Sequence, residues 1–99
     1  MFDYSLEIDS NVLTNEIIFC QNMIDTAEVE VNKLDVALST LNKRIELLAA
    51  LDRNIVNQHL KANLDLLISQ RGELMTQRND YQNTINDYQE ILNALHALS

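Results

Sequence analysis

Apolar side chains recur along this chain with two periods, and the longer one organises it. Leu13, Ile17, Cys20, Ile24, Ala27, Val31, Leu34, Leu38, Leu41, Ile45 and Leu48 follow one another in strictly alternating steps of four and three residues. A mean step of 3.5 keeps one stripe of a long α-helix turned toward a partner helix, and neither a strand nor an irregular segment uses such a pattern. The phase is lost across Leu51-Asp52-Arg53-Asn54-Ile55. A second seam then runs through Leu60, Leu64, Leu67, Arg71, Leu74, Arg78, Tyr81, Ile85, Tyr88, Leu92 and Leu95 in the same alternation. The offset of five residues between Ile55 and Leu60 exceeds the insertions of three or four that a continuous coiled coil absorbs, so it predicts a reversal of direction. One long uninterrupted helix is the structural rival, since the reversal contains neither Gly nor Pro.

The pattern thus predicts an all-α fold: a long antiparallel, coiled-coil-like helical hairpin, with helix 1 over about 11–51 and helix 2 over about 54–98 as one domain. Asp9, Ser10 and Asn11 offer capping oxygens for helix 1, and Asp52 and Asn54 for helix 2. Asp25 with Glu28 offers a second capping box, hence a break near Asp25-Thr26, but the seam crosses it unbroken and favours one continuous helix. Folding back between Asp52 and Arg53 pairs residues whose numbers add to 105: Leu13 with Leu92, Ile17 with Tyr88, Cys20 with Ile85, Ile24 with Tyr81, Ile45 with Leu60. Ala27 then faces Arg78.

The shorter period belongs to the first ten residues. Phe2, Tyr4, Leu6 and Ile8 alternate with Asp3, Ser5, Glu7 and Asp9, which reads as a short extended N-terminal arm with one sticky face. Such an arm either lies over its own helices or pairs with another molecule.

Two helices alone bury too little to be comfortably stable. At 100° per residue, Ile18, Val29, Val36 and Leu47 fall within about 20° of one another, opposite the main seam. A helix with apolar stripes on both sides is usually sandwiched, so this stripe predicts self-association, with the fold completed as an oligomeric helical bundle, a homodimer or higher. Leu66, Ile68, Met75 and Ile91 similarly widen or leave the seam of helix 2.

Charge adds a polarity to this picture. Of 99 residues, with a net charge of −8, the first 32 hold seven acids and no Lys or Arg, residues 33–78 hold all seven bases against five acids, and residues 79–99 hold three acids. A hairpin therefore gathers acid at its open end, with Glu16, Asp25, Asp80 and Asp87 as a candidate surface for a basic protein partner. Direct binding of nucleic acid is disfavoured, because the electrostatic term would be repulsive over most of the surface.

Candidate chemistry is sparse. Cys20 is the single cysteine and sits on the seam as a small core hydrophobe. His59 and His96 have no carboxylate or histidine at metal-ligand spacing, no glycine-rich phosphate loop is present, and no serine has an activating base in a motif. No cofactor, no metal and no enzymatic activity are expected. The start, Met1-Phe2-Asp3-Tyr4, carries acid where a signal peptide carries base, and no apolar run reaches the roughly 18 residues of a membrane span. The expectation is a cytoplasmic protein that does not engage membranes.

Arg71 and Arg78 stand on one seam row where apolar residues would stabilise more, with Tyr81 and Tyr88 following. Seam arginines fix helix register and oligomer state through flanking acids such as Glu30, Asp35 and Glu73. They also suit an anion site, with guanidinium forks on phosphate or carboxylate and tyrosine faces for stacking. Two function classes follow: a non-catalytic interaction module (adaptor, chaperone or inhibitor), or an oligomeric binder of an anionic small molecule such as a nucleotide.

Overall fold

In the computed structural model, which describes residues 8–99, the two seams lie face to face. The chain forms two long helices, α1 (Ser10–Asp52) and α2 (Gln58–Ala97), folded back on each other as an antiparallel hairpin. Among the described residues there is no strand. The rod measures 74 × 25 × 15 Å, as expected of helices of 43 and 40 residues rising about 1.5 Å per residue.

Local chemistry fixes the helix ends. Asp9 caps α1: its carboxylate accepts from the backbone N–H groups of Asn11 and Val12 at 2.8 and 3.4 Å, satisfying donors that a helix start leaves without partners. No break occurs at Asp25-Thr26, and α1 continues unbroken to Asp52. The reversal occupies Arg53–Asn57, later than the sequence predicts, and α2 starts at Gln58 rather than near 54. Asn57, not Asp52 or Asn54, caps α2, its side-chain oxygen accepting from Leu60 N–H at 3.1 Å. Asn54 instead serves the end of α1, its Nδ2 donating to Ala50 O at 3.0 Å. Asp52 Oδ1 is buried with no hydrogen-bond partner among the described residues. Glycine is unnecessary because the backbone N–H groups of Arg53, Asn54 and Ile55 donate to the last helical carbonyls, and no described residue takes a positive φ.

Moving the turn moves the register. Cys20 shares a buried cluster with Ile24 and Leu92, Arg71 reaches Asn42, and Arg78 reaches Asp35, so facing residues add to 112–113 rather than 105. The slip is one heptad. Leu92 therefore packs with Cys20 and Ile24 in place of Leu13, and Arg78 meets the turn of α1 holding Asp35 in place of Ala27. The seams survive because a shift of seven residues carries each stripe onto itself.

The core is two apolar clusters along the seam. Toward the open end, Cys20, Ile24 and Leu92 are buried with Ile17, Ile85, Tyr88 and Leu95 packed around them. Toward the turn, Leu41, Ile45 and Leu67 are buried with Leu48, Leu64 and Leu74. The observed register makes a direct prediction: Leu92→Cys forms an intrachain disulfide with native Cys20 under mild oxidation, visible as a faster-migrating monomer. Efficient bridging by Ile85→Cys instead would restore the 105 pairing.

Candidate interaction surfaces

The outer stripe of α1 stays in solvent. Ile18, Val29, Val36 and Leu47 are 47, 51, 69 and 69% exposed, and α2 packs against the opposite side, where Leu13, Cys20, Ile24, Ala27, Val31, Leu41 and Ile45 are buried. On α2, Leu66, Ile68, Met75 and Ile91 are likewise exposed. At the turn, Val56 is 96% exposed, an apolar tip that periodicity could not reveal because it belongs to neither seam.

Arg71 and Arg78 are half-buried in the seam and reach across to α1. Arg78 Nε donates to Asp35 Oδ1, and its Nη2 lies 3.4 Å from Asp35 Oδ2. The hydrogen bond to Asp35, then its negative charge, push the Arg78 pKa further up from an already high value. A folded-state pKa raised in this way favours the folded form below it, so Arg78 stays charged and contributes no pH dependence across the physiological range. Arg71 Nη1 donates to Asn42 Oδ1 at 3.3 Å, a partner that acid-seeking sequence reasoning passes over. Glu30 pairs within α1 with Lys33 at 3.4 Å.

Tyr88 packs in the open-end cluster, its ring edge-on to Phe19 at 6.0 Å and 73°, while Tyr81 remains 37% exposed. No cavity opens beside these side chains or elsewhere among the described residues. Because seam cations stabilise less than packed apolar residues but restrict how helices can pair, Arg71→Leu with Arg78→Leu should raise the thermal midpoint and loosen the preference for the Cys20–Leu92 register. A fall in midpoint would show that the ionic layer stabilises more than an apolar one.

In the observed register Glu16, Asp25 and Asp87 lie in the open half of the hairpin, whereas Asp80 falls level with Asn32, near the midpoint of α1. Glu16, Asp25, Asp80 and Asp87 are all exposed, and in the observed register Asp25 and Asp87 fall at the same level along the rod. Ile8 is 42% exposed, whereas Phe2, Tyr4 and Leu6 lie outside the described residues. Among the described residues no group of His, Cys, Asp and Glu is placed to hold a metal ion, and no helix is long and apolar enough to cross a membrane. No protein-family model, curated protein or solved structure matches the chain.

Proposed function

We propose that the protein is a non-catalytic interaction module, an adaptor, chaperone or inhibitor, which works as an acidic helical oligomer and engages a basic protein surface. The observation that carries this reading is the exposed stripe of Ile18, Val29, Val36 and Leu47 on the outer face of α1. Apolar side chains lined up along a helix, with a second apolar face already in use, call for a cover, and another copy of the chain supplies it. The concentration of acid at the open half then supplies the second partner's chemistry. A one-signed field accelerates encounter with an oppositely charged surface, such as the nucleic-acid-binding cleft of an enzyme, for which the rod acts as an acidic decoy. Occupation of the Arg78 fork by Asp35 favours this reading over capture of an anionic small molecule.

The test starts with affinity capture from the native host, followed by association kinetics with the captured partner. Glu16→Gln, Asp80→Asn and Asp87→Asn combined should slow association at low ionic strength by about tenfold or more and flatten its salt dependence. An unchanged on-rate and salt slope would leave the acidic end with solubility as its role.

A further inference from the structure

The exposed stripe of α1 has a spacing that reads the same in both directions. Ile18, Val29, Val36 and Leu47 are separated by eleven, seven and eleven residues. A second α1 laid antiparallel, with a two-fold axis between Asn32 and Lys33, sets Ile18 against Leu47 of the second copy and Val29 against Val36 of the second copy. A closed two-fold interface requires this self-complementarity, residue i meeting j while j meets i. We infer that two hairpins pair through α1 in this antiparallel orientation, with their turns at opposite ends, an inference that rests on the self-association proposed above.

Three further observations support the orientation and its occupant. The axis falls close to the midpoint of α1 (Ser10–Asp52), so the two rods overlap along nearly their whole length. Asp25 and Lys43 share one flank of the stripe, each about 30° from its centre at 100° per residue, and both are exposed. Neither forms an ion pair among the described residues. In the antiparallel pair, Asp25 of one copy and Lys43 of the other fall within about 5 Å along the axis, at 1.5 Å per residue, and symmetry makes two such pairs. A parallel pair would instead oppose Asp25 to Asp25 and Lys43 to Lys43. At the ends of the rod, the acidic open half of each hairpin comes beside the turn half of the other, where Lys43, Arg44, Arg53 and Lys61 outnumber Glu46, Asp52 and Asp65.

Orientation is read by a spin label at the exposed turn, Arg53→Cys with Cys20→Ala, and pulsed dipolar spectroscopy. Antiparallel pairing places the two labels about 60 Å apart, from 1.5 Å per residue along α1, whereas parallel pairing brings them within about 25 Å, two or so helix diameters. A dimer with the short distance overturns this inference and leaves self-association standing. A wild-type protein whose mass by light scattering is that of a monomer at micromolar concentration overturns both. Charge exchange, with Cys20 retained, is the second measurement: Asp25→Lys or Lys43→Asp alone should weaken dimerisation by about tenfold, and the two together should restore it to within about threefold. Failure of the double variant to recover overturns the pairing.

Discussion

Leu67→Ala is expected to lower the stability of the hairpin by about 2–5 kcal/mol, the usual cost of emptying a buried leucine site. Its context makes this loss large relative to the total, since domains retain only about 5–15 kcal/mol of net stability. On α2 the buried residues are Leu67 and Leu92; between them Leu74, Ile85 and Tyr88 are half-buried, and the remaining seam positions are taken by Arg71, Arg78 and the exposed Tyr81. Leu67 is therefore the anchor that holds the first half of α2 to Leu41 and Ile45. Chemical denaturation followed by circular dichroism should show an earlier midpoint, with part of the helical signal lost before the main transition. The neighbouring Leu66→Ala is the control. Leu66 is 58% exposed, and its truncation should change stability by no more than about 0.5 kcal/mol. Equal losses at the two positions would mean that the seam does not face α1 as described.

The second large effect is on assembly. If two hairpins pair through α1 as proposed, Val29→Glu with Val36→Glu should convert the pair to monomer in light scattering while leaving the helical circular dichroism signal nearly intact. Both side chains are at least half exposed within the hairpin, so no contact inside the chain is lost. Across the proposed two-fold axis, however, the substitutions remove four valines and set carboxylates opposite carboxylates. At about 1.5 kcal/mol or more for each buried valine, and a factor of ten per 1.4 kcal/mol, affinity should fall by a factor on the order of 10⁴. An oligomer that survives the double substitution would show that assembly uses another face, with Ile68 and Met75 on α2 as the next residues to change.

The seam of α1 was legible because burial and periodicity report the same thing. From Leu13 to Leu48 every position of the four-three pattern is buried or half-buried, and on α2 only Tyr81 departs from it. The register was not legible, and the reason is the periodicity itself. Stripes that repeat every seven residues match equally well when one helix slides by a heptad, so only the length of the connection can choose. That connection, Arg53–Asn57, gives little warning in sequence. It closes through hydrogen bonds to the last carbonyls of α1 instead of through glycine, and it exposes Val56 where a polar residue would be expected. The one usable signal was Asn57, three residues ahead of Leu60, the spacing at which a capping side chain meets the backbone of the first seam residue. Among the candidate surfaces, the pairing of Arg78 with Asp35 was foreseeable from charge. The contact of Arg71 with the neutral Asn42, and that of Tyr88 with Phe19, carried no such signal, since polar amides and single aromatic residues are common on helix surfaces.

Cys20 gives the open end a built-in clock. Its side chain is 2% exposed, so a thiol reagent reaches it only when the helices part locally. It lies in the half of the rod where negative charge accumulates, and mutual repulsion there favours fraying more than it does near the turn. In the native, unlabelled protein the rate of alkylation at this one atom therefore counts openings of the acidic end. Added salt, which screens the repulsion, slows the clock, and anything that clamps the two helix termini together stops it.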